Sequence, residues 1–244
     1  MIELEEFIET FIANHPAFTI DEFAGMMREE RPEIGRSAIY QIIKKKCDEG
    51  IITRTGRGHY TSAVRKEYDY SLSETAKSIS IQIQQKYPLV DFQVWELFQM
   101  NEFVNHLFAK NTVFVEVENA LNESVFILLF SQYPHVLFHP DMNEYCKYAG
   151  DETIIVRKLY TETPPAFGKY RQASLEKILV DLFGRGLSGS MISRSEYKSI
   201  YEDAFNKYKT NQARLFRYAR RRGIESDIRA WISEMTNIIL EENT

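Results

Sequence analysis

Cysteine is nearly absent: Cys47 and Cys146 are the only two in 244 residues, and they form no C-x-x-C pair. That excludes a disulfide framework and a zinc site built mainly of thiolates. No apolar run approaches the length of a membrane span, so no membrane partner is expected. The amino-terminal MIELEEFIET is acidic where a secretory leader would be basic, which makes the cytosol the expected location. Internal repeats and low-complexity tracts are missing. Histidine is sparse, and its one i, i+4 pair, His135 and His139, is followed by Pro140 with no third ligand close by, so no metal is expected there. Positive charge is in overall deficit, with a net charge of −5, so any contact with nucleic acid has to be local.

Such a local surplus runs from Arg36 to Lys66. Arg36, Lys44, Lys45, Lys46, Arg54, Arg57, Arg65 and Lys66 stand there against Asp48 and Glu49, with Glu67 at the border. Ser37 is placed to cap a helix in which Ile39, Ile42, Ile43 and Cys47 form an apolar stripe. Ser37, Tyr40, Gln41 and Lys44 form a second stripe on the other side. Gly50 ends the helix, and residues 51–54 and 59–61 read as two strands joined by a turn at 55–58. Ahead of them, residues 3–14 read as an amphipathic helix closed by His15-Pro16. Thr19 caps a second helix to Glu30, with Glu22 completing a capping box. This order predicts a winged helix-turn-helix over residues 1–66. Its DNA-facing candidates are Arg36, Ser37, Tyr40, Gln41, Lys44, Lys45, Arg54 and Arg57. A lysine run on a solvated face is the commoner meaning of such a pattern; position on the second helix and the hairpin tip favours the phosphate contact.

Residues 67–163 alternate helical and strand patterns, which predicts an α/β (α+β) core domain with a small central sheet. Helices are expected at 73–87, 101–109, 121–133 and 141–149, and strands at 90–97, 112–118, 135–139 and 152–160. After Pro164-Pro165, residues 164–244 read as a helical part packed on that core. The letters G-R-G-L-S-G at 184–189 match a dinucleotide fingerprint, but they follow a helical pattern instead of a strand, and a flexible connector is expected. No cofactor is implied. Asp91, Glu116 and Glu118 are the enzymatic candidates, because 116 and 118 share a strand face and could hold Mg²⁺ with Asp91. A nuclease site would carry Lys where Glu118 stands, and acids on a solvent face are the commoner reading. Between Ala204 and Ile224 there are seven Lys or Arg residues and no acid, with Arg214, Arg217 and Arg221 on one helix face. They read either as a solvated face or as a second basic surface.

The wing GIITRTGRGHY, the strand TVFVEVE, and the helix SLEKILVDLF followed by RLFRYARRRG together resemble the AbiEi-like antitoxin family of type IV toxin–antitoxin systems. The resemblance spans most of the chain. It implies a transcriptional regulator, not an enzyme, that represses its own operon by binding double-stranded operator DNA, with inverted repeats expected. It also implies antitoxicity supplied by the carboxy-terminal domain against an AbiEii-like nucleotidyltransferase toxin, without a stable complex. Ser37, Tyr40, Gln41, Lys44, Arg54 and Arg57 take the DNA-facing roles. Two other classes stay open: a metal-dependent nuclease-like enzyme using Asp91, Glu116 and Glu118, and a winged-helix protein-interaction module.

Overall fold

A computed structural model describes residues 4–62, 65–184 and 186–240. The chain is mixed α and β, with two small sheets, and forms two compact units. Residues 1–67, 205–209 and 231–244 make the first; residues 68–204 and 210–230 make the second. The carboxy-terminal stretch, expected as one helical part, is thus shared between them.

In the first unit, α1 (Leu4–Asn14) buries Ile8, Phe11 and Ile12 and ends just before Pro16. Strand β1 (Ala17–Thr19) leads into α2 (Ile20–Glu30). The expected capping box is formed: the Glu22 N–H donates to Thr19 Oγ1 at 3.1 Å and the Thr19 N–H to Glu22 Oε2 at 2.7 Å. Helix α3 (Arg36–Asp48) turns Ile39 and Ile43 inward. Its cap is Gly35 with no side-chain bond, two residues earlier than expected, so Ser37 lies inside the first turn and caps nothing. Gly50 ends it at φ +72°, as its place after the last helical turn predicts. Strands β2 (Thr53–Gly56) and β3 (His59–Thr61) form a hairpin, and β1 pairs with β3 on its other side, giving the antiparallel order β1-β3-β2. Phe11, Phe18, Phe23, Met27, Ile39, Ile43, Ile52 and Tyr60 fill the core between the helices and this sheet.

The hairpin is braced by residues far along the chain. The Arg57 N–H donates to the Asn237 carbonyl at 2.8 Å, and Gly56 bridges Ile238. A Cβ on Gly56 would stand 2.0 Å from the Asn237 oxygen, so only glycine permits that approach.

Lys46 departs from the sequence reading, which counted it in the surface island. It is 2% exposed, with Nζ 2.5 Å from Glu5 and within 3.9 Å of Glu9 and Glu49. Hydrogen bonding to and the charge of Lys46 hold the Glu5 carboxyl below its usual pKa. Lys46→Ala removes a buried cation that these three acids share. The expected result is a fall of roughly 3–6 °C in the thermal midpoint, followed by circular dichroism.

The second unit is built on the sheet β4 (Phe92–Glu96), β5 (Asn111–Val117), β6 (Val136–Phe138) and β7 (Glu152–Lys158), in the order β4-β5-β7-β6. β4 is antiparallel to β5, whereas β5, β7 and β6 run parallel. On one face Val94, Val113, Val115, Val117, Ile154 and Val156 pack with Ala76, Ile79 and Ile83 of α4 (Glu74–Lys86) and with Val125 and Leu129 of α5 (Asn122–Phe130). α6 (Met142–Tyr148) lies between β6 and β7 in the chain, capped by Asp141 and Glu144. The opposite face carries Trp95, Phe114, Glu116, Ile155 and Arg157 and meets α7 (Leu175–Phe183), every residue of which is buried. A short α8 (Leu187–Ser190), α9 (Tyr197–Lys207), α10 (Gln212–Arg221) and α11 (Glu225–Met235) follow.

Two expectations about local backbone structure fail in this unit. The predicted helix at 101–109 is a 3-10 turn at Leu97–Glu102 followed by irregular chain. Asn101 Oδ1 accepts from the Phe108 N–H at 2.8 Å, and the Asn105 N–H donates to Glu196, so side chains take the bonds a helix would have used. The glycine-rich segment 184–189, read as a flexible connector, is tightly packed at its end. A Cβ on Gly189 would meet the Gly184 oxygen at 2.2 Å, and Tyr197 donates its hydroxyl to the Leu182 and Gly189 carbonyls. Arg185 of that segment lies outside the described residues. Among the described residues, no helix is long and apolar enough to cross a membrane.

Candidate nucleic-acid interface

Packing of Ile39 and Ile43 into the first unit's core leaves the opposite side of α3 outward. Arg36, Ser37, Tyr40, Gln41, Lys44 and Lys45 are all exposed there. The Arg36 guanidinium lies over the Tyr40 ring at 5.8 Å from its centroid, which holds a cation beside a half-open aromatic face. Lys45 pairs with Glu49 at 3.6 Å, a contact on a solvated face, where water keeps such a pair weak. In the hairpin, Arg54 and Arg57 are exposed. The Arg54 Nε–H donates to the Gly56 carbonyl at 3.2 Å and so stiffens the loop, while Arg57 is held through its backbone by Asn237. All eight sequence candidates are therefore accessible, on two elements of one unit. Of the other basic residues of the island, Lys46 faces inward and Arg65 is half-buried, its side chain shifted to a lower pKa by desolvation.

The acidic candidates do not come together as a metal site. Asp91 is exposed and pairs with Arg171 at 2.6 Å. Glu118 lies beyond the end of β5, its N–H donating to the Asp91 carbonyl. Glu116, expected on a solvent face, is 1% exposed, because the strand that carries it is covered on both sides. Among the described residues, no group of three or more His, Cys, Asp or Glu side chains is placed to hold a metal ion.

Glu116 sits instead in a buried charge cluster. Its Oε1 accepts from Lys177 Nζ at 2.6 Å, Arg157 Nη2 at 2.7 Å and the Trp95 indole at 2.9 Å, while Oε2 is buried with no partner among the described residues. Burial alone pushes its pKa up, but Arg157 and Lys177 reverse this and hold the carboxyl well below its usual range. Asp181, one turn after Lys177 on α7, accepts from Lys177 at 2.5 Å, from Tyr218 at 2.9 Å and from Arg222. The sequence reading missed Lys177, Asp181, Arg157 and Arg222. The signal was a Lys and an Asp four apart within the apolar run SLEKILVDLF, where no solvated face remains for them.

The helical basic surface divides on inspection. Arg217 and Arg221 are exposed, with the Arg221 Nε–H donating to Thr161 at 2.6 Å. Arg214 is half-buried and leans toward Glu176 at 3.9 Å, so it belongs to the packing of α10 on α7 as much as to the surface.

No curated protein matches this sequence. The family model that matches does so over residues 38–238, from the first turn of α3 to beyond α11. On that match, which covers most of its length, the chain belongs to a family of unknown function, DUF6577.

Proposed function

We propose that the first unit is a winged helix-turn-helix that binds duplex DNA, with α3 in the major groove and the β2-β3 hairpin on the flanking backbone, and that the protein is a transcriptional regulator. The observation that carries this is the outward row Arg36, Ser37, Tyr40, Gln41, Lys44 and Lys45 beside a braced hairpin bearing Arg54 and Arg57. The helix, strand, helix, helix, hairpin order also supports it, since it leaves one helix flank and one loop open to a single partner. Tyr40, Gln41 and Ser37 supply base-edge contacts in this reading, and the cations supply phosphate contacts. The test is binding of the full chain to duplex DNA from upstream of its own gene, followed by fluorescence anisotropy across a salt series. Tight binding that weakens steeply with salt is expected, and affinity no better than for an unrelated duplex, with no salt dependence, would overturn the reading. The whole chain is needed because residues 205–209 and 231–244 complete the unit.

The resemblance to AbiEi-like antitoxins extends the proposal to an autoregulating antitoxin that counteracts a nucleotidyltransferase-like toxin without binding it stably. Arg217 and Arg221 are its candidate antitoxic contacts, as planar forks suited to phosphate groups. Arg217→Ala with Arg221→Ala should abolish protection in cells that co-express the neighbouring toxin gene while leaving operator binding in place. Full protection by the folded double variant removes these residues from the antitoxic role.

A further inference from the structure

At the edge of the charge cluster the second unit has a cleft of about 190 Å³, lined by His139, Arg157, Lys158, Tyr160, Ser188 and Arg222 among others. Among the described residues, no carboxylate lines it. Behind it, the formal charges of the cluster do not cancel: Arg157, Lys177 and Arg222 are three cations against two carboxylates, Glu116 and Asp181, which leaves one positive charge in surplus. The side chains of Arg157 and Arg222 are only 18% and 13% exposed, so water offsets that surplus poorly. Lys158, exposed in the cleft wall, adds a second.

The nitrogens are also arranged for a ligand. Arg222 bonds within the protein through Nη1, to Asp181 and the Tyr218 hydroxyl. Among the described residues, its Nε and Nη2 have no acceptor, while its guanidinium lies 4.0 Å from the centroid of the half-exposed Tyr160 ring, which fixes the plane of the fork. Arg157 is fixed likewise, by Glu116 and by stacking 4.8 Å from the Phe114 centroid. Two guanidinium groups locked before any ligand arrives lose little entropy on binding an anion. His139 borders the same cleft with its backbone at φ +48°, a conformation rare outside glycine, and burial followed by the charges of Arg157 and Lys158 lowers its pKa.

We propose that this cleft binds a phosphomonoester, whose dianion matches the one surplus charge of the buried cluster and the one charge of Lys158. A carboxylate or a backbone phosphodiester carries a single charge and would leave one of the two unmatched. The cleft has room for the phosphate and a small part of what it esterifies, and the Tyr160 ring at its rim gives that part a flat apolar contact. The phosphate has two sources, a free sugar or nucleoside monophosphate and the 5′-phosphorylated end of a nucleic acid strand.

The experiment titrates the full chain, labelled with ¹⁵N, with inorganic phosphate, ribose 5-phosphate, a 5′-phosphorylated trinucleotide and the same trinucleotide with a 5′-hydroxyl. Saturable binding of the first three is expected, with the His139 pKa rising on saturation as the dianion offsets Arg157 and Lys158. Ribose 5-phosphate binding at least as tightly as the phosphorylated trinucleotide assigns the site to a small metabolite; the reverse order assigns it to a strand end. Lys158→Met, which leaves the buried cluster intact, should weaken all three by roughly tenfold or more. Undiminished affinity in that variant, equal binding of the 5′-hydroxyl trinucleotide, or an unmoved His139 pKa would each overturn the proposal.

Discussion

Lys44→Ala, Arg54→Ala and Arg57→Ala combined in the full chain are expected to flatten the salt dependence of DNA binding by about three units of logarithmic slope, if each cation neutralises one phosphate. The counterion contribution vanishes near 1 M salt, so at about 0.1 M the three contacts amount to roughly 10²–10³ in affinity. The fold should not change, because all three side chains are exposed on their elements and none belongs to the apolar core of the first unit. Arg54 is the one with a structural bond, to the Gly56 carbonyl, and circular dichroism of each single variant checks that its loss is harmless. Lys46 supplies the contrast. Although it sits two residues from Lys44 in the same basic run, it is turned toward Glu5, Glu9 and Glu49, so Lys46→Ala should lower stability and leave the salt slope near its original value. A slope unchanged in the folded triple variant would remove α3 and the hairpin from the DNA contact.

The second large effect is expected in stability. Asp181 answers Lys177, Arg157, Arg222 and Tyr218 at once, with its side chain 1% exposed. Asp181→Ala leaves three cations and one carboxylate, Glu116, in a cluster that water reaches poorly. Removing one partner from a buried ion pair costs about 3–5 kcal/mol, and here more than one pair is broken. For a chain of this size that corresponds to a fall on the order of 10 °C in thermal midpoint. Glu118→Gln, at the neighbouring acid outside the cluster, should change stability by less than about 0.5 kcal/mol. The pH dependence follows from Glu116, whose folded pKa is depressed. Its stabilisation is fully present above the unfolded value near 4.5 and is lost as pH falls through the lower folded value. Glu116→Gln should therefore be less stable at neutral pH and show a shallower loss on the acid side, measured by urea unfolding at neutral pH and at pH values below 4.5. Equal acid sensitivity in the variant and the original chain would mean that Glu116 carries no such linkage.

Much of the first unit was legible because its signals are local, although β1, the cap of α3 and the burial of Lys46 were not. Thr19 and Glu22 close their box within one turn, Gly50 stops α3 through its own φ, and the Ile39 and Ile43 stripe sets which side of α3 faces out. Each of these depends on neighbours within a few positions, where helix periodicity and backbone sterics decide the outcome. The strands β4 to β7 were also visible, to within a few residues at their ends, from their apolar and β-branched runs.

Position in the second unit was decided by tertiary structure alone. The alternation in TVFVEVE predicts a strand with one wet face, yet the strand sits inside a four-stranded sheet covered by α4 and α5 on one side and α7 on the other, so Glu116 is buried where a solvated acid was expected. Nothing near residue 116 announces that its partners are Arg157, Lys177 and Trp95, which the fold brings from 41, 61 and 21 positions away. The same holds for Asn237 against Gly56 and for Lys46 against Glu5. Local sequence determined most of the elements of this protein, the Thr19 and Gly50 caps and the outward side of α3, because those follow from short-range geometry. Which charges meet, which are dry and where a surplus of one sign is left were decided only by the packing of distant segments, because the energy of a charge depends on everything that surrounds it.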